Sequence, residues 1–269
     1  MAINFHAEKN RFSYARRLVD VSWTAMIEKL VEVRGTDAVD IGCGGGIYTR
    51  TLAHLGAERV TGIDFSSEML KGARSQTDGY PQISYLSGHA LATGLSDRSA
   101  DLVLQRALTH HLQDEQLLDC FAEAHRILRP AGVLLVQNRT PEDCLLPGSE
   151  THLRGYFFEL YPRLVEREVG RRHKSELMID SLRAAGFSVV EEHQLWETRK
   201  VYPDLEELAV DLLTRSGRSI LHELSDPELQ ELVAHIQDRL LQIGVQEVWE
   251  QDRWTIWKAV KGDSSQGAV

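Results

Sequence analysis

The stretch that most constrains this chain is residues 38–46, which read AVDIGCGGG. A short apolar run leads into Asp40 and Ile41, and the residues that follow include Gly42, Gly44, Gly45 and Gly46. Glycine adopts φ > 0 without strain and lets a ligand approach the main chain. Because residues 47–55 are compatible with a helix, the stretch predicts a buried strand, a tight turn and a helix whose first N–H groups point at a ligand.

Strand-like and helix-like segments alternate after this turn. The predicted strands lie at 59–63, 83–86, 100–104 and 133–136, and the predicted helices at 66–73 and 114–128. This alternation is typical of an α/β fold in which helices cover both faces of a parallel sheet. Ligands bind such sheets at the carboxyl ends of the strands, and the glycine turn is predicted to lie at one of those ends.

The second half of the chain keeps only part of this pattern. The predicted elements are a helix at 174–185, a strand at 187–196, helices at 204–215 and 226–242, and a final strand at 254–260. The connection at 139–173 is too long for a plain loop, so we expect it to carry function. We interpret residues 1–269 as a single domain with its core at about 36–138 and 174–262, and with cap segments at about 139–173 and 200–245.

Composition limits the classes of partner and compartment. The formal charge of −10 argues against non-specific binding to nucleic acid, which requires a basic surface. No apolar run approaches the roughly 18 residues that a membrane span needs, and the first residues lack a signal-peptide core. Cys43, Cys120 and Cys144 are far apart in the sequence, which favours free thiols in a reducing compartment. These observations predict a cytoplasmic protein that does not span a membrane.

The two ends of the chain give weaker patterns. Val19, Trp23, Met26, Ile27 and Leu30 recur at helical spacing and predict a helix at the edge of the sheet. Before it, Arg11, Tyr14 and Arg16 either close over a ligand or form a solvated polar segment. The C-terminal residues KGDSSQGAV are predicted to be disordered.

The glycine spacing distinguishes two ligand classes. The dinucleotide fingerprint GxGxxG, started at Gly42, requires glycine at position 47, where the chain has Ile47. The alternative pattern, an acidic residue followed by GxGxG, is complete in Asp40, Gly42, Gly44 and Gly46. The turn therefore favours a cofactor other than a dinucleotide.

With these residues the sequence resembles the class I S-adenosylmethionine-dependent methyltransferases that act on small molecules, the group that includes ubiquinone- and menaquinone-biosynthesis-like enzymes. The resemblance depends on VDIGCGGG at 39–46, GIDFSSEML at 62–70, SADLVLQRALTHHL at 99–112 and HRILRPAGVLLV at 125–136, with LRAAGFSVVEE at 182–192. It implies a Rossmann-like fold, with a seven-stranded, mostly parallel sheet, an antiparallel last strand and a helical cap insertion. It also implies that S-adenosyl-L-methionine is the cofactor and S-adenosyl-L-homocysteine the product.

The resemblance also implies a set of cofactor-binding residues: Asp40, Gly42, Cys43, Gly44, Gly46, Asp64, Phe65, His89, Ala90 and Arg106. Asp40 would accept a hydrogen bond from the cofactor's α-amino group, and Asp64 would accept from both ribose hydroxyls, although an N-cap of the next helix is the alternative role for Asp64. Phe65 would lie beside the adenine or in the core. His89 replaces the acidic residue usual in the family and would accept from the adenine amino group, or else only the backbone at Ala90 reads the base.

The chemistry of methyl transfer requires few side chains, because the displacement is in line and the cofactor carries the activation. His110 or His111 could act as a general base, or could only pack near the cofactor. Arg106 could pair with a carboxylate or phosphate of the substrate, or form a structural ion pair. We predict no metal site, because adjacent histidines point in different directions on a strand or helix.

The cap segment is predicted to select the substrate. Within 150–175 the basic side chains outnumber the acidic ones and alternate with aromatic rings: Arg154, Arg163, Arg167, Arg171, Arg172 and Lys174, against Glu150, Glu159, Glu166 and Glu168, with Tyr156, Phe157, Phe158 and Tyr161. This pattern favours an anionic or aromatic small-molecule acceptor. A homodimer interface and a plain packing layer are the alternatives.

Two other functions remain open from the sequence. A chain with this fold could bind S-adenosylmethionine without turnover. It could also be a nicotinamide-dependent oxidoreductase, which Ile47 disfavours. The acidic charge and the QRALTHH sequence after the fourth predicted strand argue against a nucleic-acid substrate.

Overall fold

The computed structural model of the chain describes residues 19–262. The interpretation of Arg11, Tyr14 and Arg16 lies outside the described residues, and so does the interpretation of the tail beyond residue 262. The chain folds into two compact units. Of the described residues, 19–138, 173–195 and 255–262 form what we call the sheet unit, and 139–172 and 196–254 form the helical unit.

The seven strands lie in one sheet with the order β3-β2-β1-β4-β5-β7-β6. The strands are β1 Asp37–Ile41, β2 Arg59–Asp64, β3 Ile83–Ser87, β4 Ala100–Arg106, β5 Leu128–Asn138, β6 Phe187–Tyr202 and β7 Val248–Lys261. The pairs from β3 to β5 are parallel, whereas β7 is antiparallel to β5. The Rossmann-like, mostly parallel fold with an antiparallel last strand is therefore confirmed.

The chain contains ten α-helices within the described residues. They are α1 Val21–Leu30, α2 Ile47–His54, α3 Ser67–Arg74, α4 Asp114–Ile127, α5 Pro141–Cys144, α6 Arg154–Leu160, α7 Leu164–Val169, α8 Ser175–Ala184, α9 Leu205–Leu213 and α10 Asp226–Gln242. Short 3-10 turns lie at Thr109–His111 and Ser219–Glu223. Of the helices in residues 19–262, none combines the length and the hydropathy needed to span a bilayer.

Alternation along β1 shows how the sheet unit buries both of its faces. Val39 and Ile41 belong to a cluster that includes side chains of α4 and α8. Ala38 belongs to a different cluster, which contains side chains of α1 and α2. Because successive strand residues point to opposite faces, the two clusters cover the two sides of the sheet.

Helix α1 corrects one prediction. It does not lie at the sheet edge, because Trp23 and Ile27 are buried in a cluster with residues of the central strands, including Leu104 and Leu135. The indole N–H of Trp23 donates to Oε1 of Gln137 on β5 at 2.7 Å. Burial of two large apolar side chains with a paired N–H places this helix on the face of the sheet.

Two strands and one turn differ from the sequence prediction. β6 continues to Tyr202 and β7 begins at Val248, so both are longer than predicted. Residues 130–132, expected to separate a helix from a strand, lie in a bulge of β5, where Ala131 has φ 62°. The pairing shifts there from Ala100↔Leu128 to Leu102↔Val133.

The helical unit has its own apolar core. One face of α10 supplies Leu229, Leu232, Val233, Ile236 and Leu240, at the helical spacing visible in the sequence. The aromatic side chains of α6 join the same cluster, as do Leu208 and Leu212 of α9. The segment at 139–173 therefore folds as helices and not as an irregular loop.

Candidate functional site

The glycine turn between β1 and α2 has the left-handed backbone that its sequence predicts. Gly42, Gly44 and Gly46 have φ values of 77°, 51° and 73°. A Cβ on Gly46 would lie 2.3 Å from the hydroxyl oxygen of Tyr85, so this position has no room for a side chain. A Cβ on Gly44 would meet nothing closer than a Met69 methyl carbon at 4.0 Å. The main chain at Gly44 is thus open to a ligand.

Asp64, the last residue of β2, fixes this turn through both of its carboxylate oxygens. The Gly44 N–H donates to Oδ2 at 2.8 Å, and the Ser66 N–H donates to Oδ1 at 2.8 Å. The N-cap of α3 is Ser66, whose hydroxyl accepts from the Met69 N–H. The alternative role of Asp64 as the N-cap is therefore wrong. A carboxylate oxygen has two lone pairs and can accept from more than one donor.

Asp40 is a buried carboxyl group behind the turn. Its Oδ2 accepts a hydrogen bond from the hydroxyl of Thr49 on α2 at 2.6 Å. Burial raises the pKa of Asp40 to about 6, and the nearby charge of Asp64 acts in the same direction, whereas the Thr49 bond and the charge of Arg106 oppose it. A buried acid with a raised pKa is stabilised as the anion by an incoming cation.

The guanidinium of Arg106, at the end of β4, lies over the ring of Tyr48 at 4.2 Å from its centroid. This stacking fixes the plane of the guanidinium beside the glycine turn. The predicted role of Arg106 toward a substrate anion stays a prediction.

The predicted adenine-binding residues lie close together after β2 and β3. Phe65 is 53% exposed, and its ring centroid lies 6.4 Å from that of His89. Ala90 is buried. The Leu91 N–H donates to Nδ1 of His89 at 3.2 Å, so in the neutral ring the proton is on Nε2. In this tautomer Nδ1 already accepts from Leu91 and Nε2 is a donor, and the role of His89 toward the adenine stays a prediction.

Cys43 lies in the turn, and its thiol donates to the Gly44 carbonyl oxygen at a sulfur distance of 3.9 Å. Its thiol packs in a cluster with Leu70, Ala73 and Tyr85. Burial raises the pKa of Cys43 well above its usual value, and the charges of Asp40 and Asp64 add to that effect. A thiol in this state is a poor nucleophile and metal ligand.

The segment after β4 forms a strained turn against the glycines. Ala107 has φ 51°, an uncommon value for a residue with a side chain, and its N–H donates to the carbonyl of Gln137. A Cβ on Gly42 would lie 3.0 Å from Cδ1 of Leu108, so the two turns are in van der Waals contact. The end of β4 therefore borders the same site as the end of β1.

His110 and His111 follow in the 3-10 turn, with ring centroids 4.0 Å apart. The argument that adjacent histidines point in different directions is wrong here, because a 3-10 turn brings these rings into contact. No group of three or more His, Cys, Asp or Glu side chains within residues 19–262 is arranged to hold a metal ion.

Several polar residues of this site escaped the sequence analysis. Thr49 holds Asp40, and Asn138 at the end of β5 donates through Nδ2 to the hydroxyl of Thr109. His173 contacts both Thr109 and Asp114. The position of Asn138 at a strand's carboxyl end was a usable signal, whereas the long-range contacts of His173 leave no local pattern.

The charged residues of the helical unit form buried ion pairs. Glu168 is fully buried, and its carboxylate pairs with Arg171 at 2.5 Å, Arg172 at 2.7 Å and Arg154 at 3.5 Å. Burial favours the neutral acid, but the surrounding guanidiniums outweigh it and hold the pKa of Glu168 far below its usual range. Arg154 also pairs with Asp252 at 3.3 Å. These ion pairs fit the plain packing layer that was the alternative to substrate binding by residues 150–175.

Comparison with known proteins places this geometry in a family. Residues 39–136 match the family model described as a methyltransferase domain. The chain is 30% identical over 169 residues to an uncharacterized methyltransferase from Synechocystis, a match that spans 62% of this chain and 74% of the relative. It is 29% identical over 145 residues to a demethylmenaquinone methyltransferase from Lysinibacillus sphaericus, spanning 53% of this chain and 60% of the relative.

Solved structures agree on the fold. A phosphoethanolamine N-methyltransferase 2 from Haemonchus contortus, in complex with S-adenosyl-L-methionine, superposes with a TM-score of 0.59 at 19% identity. The superposition covers 97% of this chain and 61% of that structure. The chain spans 47–60% of the length of three curated relatives that it matches.

Proposed function

The chain belongs to the class I S-adenosylmethionine-dependent methyltransferases, and we propose that it transfers the methyl group of S-adenosylmethionine to a small-molecule acceptor. The observation that carries this proposal is the pairing of the left-handed glycine turn with Asp64, whose carboxylate holds the Gly44 N–H at 2.8 Å. This arrangement presents bare main chain and a carboxylate to one ligand.

The residues of the sheet unit fit this cofactor. The buried carboxyl of Asp40 suits a cationic group, because a cation would stabilise the anion that burial disfavours. Asp64 would accept from the ribose hydroxyls, and Phe65 would cover the adenine. His89, with its proton on Nε2, would donate to a ring nitrogen of the base. The glycines would let the main chain approach the methionine part.

When bound, S-adenosylmethionine supplies a sulfonium-activated methyl group that is open to in-line displacement by an acceptor. The chain's own contribution is to bind and orient. The turn after β4 borders the glycine turn through Leu108, which makes Arg106, His110 and His111 our candidates for the acceptor side. In this proposal Arg106 orients an anionic group, and one of the two histidines takes up a proton where the acceptor has one to lose.

We propose further that the acceptor is anionic or aromatic. Basic side chains outnumber acidic ones between residues 150 and 175, and this excess supports the proposal. Arg171 is the sharper probe, because its side chain is 34% exposed, whereas that of Arg154 is 8% exposed and serves two ion pairs. Arg171→Ala should raise the acceptor KM. An unchanged KM in a folded variant would contradict this role.

The decisive experiment measures turnover. Purified protein with S-adenosylmethionine is incubated with phenols, amines, carboxylates and quinols, and both S-adenosylhomocysteine and the methylated product are measured. We expect equimolar formation of the two with at least one class of acceptor. Cofactor binding without turnover of any class would favour the non-catalytic binding module, and binding of NAD(H) instead would favour the oxidoreductase.

A further inference from the structure

His173 is the first residue of the chain where it re-enters the sheet unit, and its ring is nearly buried. The side chain is 8% exposed. Its Nε2 lies 2.9 Å from the carbonyl oxygen of Thr109, and its Nδ1 lies 2.9 Å from Oδ1 of Asp114. The ring therefore contacts the 3-10 turn and the first residue of α4 at once.

Both partners of this ring are acceptors. A carbonyl oxygen accepts only, and so does the carboxylate of Asp114, whose side chain is 66% exposed. A neutral imidazole has one N–H and can satisfy only one of the two contacts. The doubly protonated ring donates to both, and the Asp114 bond is then charge-assisted.

The contact at Thr109 lies at the centre of the turn after β4. The Thr109 carbonyl also accepts from the Leu112 N–H, and the Thr109 hydroxyl accepts from Asn138. Ala107 in the same turn has a left-handed backbone. A strained backbone conformation of this kind persists only where several surrounding interactions hold it in place. His173 supplies one of these interactions from a distant part of the chain.

We propose that His173 is a positioning residue for methyl transfer, which through its contacts with Thr109 and Asp114 holds the Thr109–His111 turn and so fixes the acceptor side of the site. The inference rests on the proposed function, because it assigns His110 and His111 to that side. It predicts that His173 acts on the acceptor step and not on cofactor affinity, since its partners belong to the turn after β4 and to the start of α4 and not to the glycine turn or to β2.

The test compares two substitutions of His173. His173→Phe keeps a ring of similar width but has no donor, whereas His173→Gln keeps one N–H for the Thr109 carbonyl. His193→Phe is the matched control, because His193 also contacts a carboxylate, Glu191 at 3.3 Å, but within β6. Three quantities are measured: the Kd for S-adenosylmethionine by calorimetry, kcat and KM for the acceptor, and ring ¹H–¹⁵N NMR spectra of the histidines.

We expect His173→Phe to lower kcat by about tenfold or more through misplacement of the turn, with the cofactor Kd within twofold of wild type. His173→Gln should recover part of the loss, because its amide can still donate to the Thr109 carbonyl. The ring signals of His110 and His111 should shift in His173→Phe and not in His193→Phe.

Unchanged kcat and unchanged histidine signals in His173→Phe would overturn the proposal. An equal loss of cofactor affinity and kcat would also overturn it, because that result indicates a general structural role. Should His173→Phe fail to fold, the same criteria apply to His173→Leu, which also lacks a donor. If wild-type protein does not bind S-adenosylmethionine, the proposed function fails, while the NMR spectra still test whether His173 positions the turn.

Discussion

Binding of S-adenosylmethionine should release a proton from Asp40. The carboxyl is buried, and burial raises its pKa to about 6, so at pH 6 about half of the free protein carries a proton there. A bound cation beside the carboxyl would favour the anion and lower its pKa. The bound protein would then have lost the proton that the free protein carried.

The size of the effect follows from linkage. If the cation returns the pKa to about 4, the ordinary value, about half a proton leaves at pH 6, and the Kd is about tenfold weaker at pH 5 than at pH 7. The ligand's own groups do not titrate in this window, since an α-amino group has a pKa near 8 and an α-carboxyl near 3.5. The slope of log Kd therefore reports on the protein.

The assay is titration calorimetry at pH 5, 6 and 7 in pairs of buffers with different ionisation enthalpies. The difference in measured heat between two buffers gives the number of protons released. Asp40→Asn is the control, because an amide oxygen can still accept from Thr49 but has no proton to lose at these pH values. In this variant we expect weak binding that is independent of pH.

The raised pKa of Asp40 also affects folding stability: a rise in pH strengthens cofactor binding but lowers the stability of the free protein. Because the folded-state pKa of Asp40 is raised, its stabilising contribution is present at low pH and is lost as pH rises from about 4 through 6. Asp40→Asn should thus be more stable than wild type at pH 7, by up to about 3 kcal/mol, and not at pH 4. A pH-independent Kd in the wild type, with no proton release at pH 6, would refute this account of Asp40.

Three further substitutions test other parts of the structure. Gly44→Ala should weaken cofactor binding at least tenfold. Gly79→Ala is the control, because Gly79 is also left-handed and open. Each substitution should lower stability by about 1 kcal/mol, but Gly79→Ala should leave the Kd measured by calorimetry unchanged. Glu168→Gln should lower the free energy of unfolding by about 3–5 kcal/mol in urea titrations, because it breaks buried ion pairs. In the wild type this contribution should be lost as pH falls below about 4, because the folded-state pKa of Glu168 is lowered. Trp23→Phe should cost about 1–3 kcal/mol by the same method, since it leaves Oε1 of Gln137 without the indole donor. A cost near zero for either of these last two variants would contradict the burial and pairing described here.

Local patterns account for what the sequence analysis predicted correctly. The β1–glycine–α2 unit and Asp64 at the end of β2 were predicted because apolar periodicity and glycine spacing act over a few residues. The N-cap alternative for Asp64 failed for an equally local reason. Ser66 occupies the cap position, and the Asp64 carboxylate turns back to Gly44.

Non-local contacts account for what was missed. β6 and β7 are neighbours in the sheet although they lie far apart in the chain, and local alternation does not show how far such a pair extends. His173 meets Thr109 across 64 positions, so no spacing rule indicates it. The tautomer of His89 depends on a single backbone N–H, that of Leu91, which no side-chain pattern shows.

The most direct test of the central claim is a comparative titration of the purified protein with S-adenosylmethionine, S-adenosylhomocysteine and NAD(H). We predict that the first two bind and that NAD(H) does not. Asp64→Ala should weaken binding of S-adenosylmethionine by about 1–3 kcal/mol, and Asp119→Ala, on the exposed side of α4, should not change it. Tight binding of NAD(H) with no binding of S-adenosylmethionine would contradict the account.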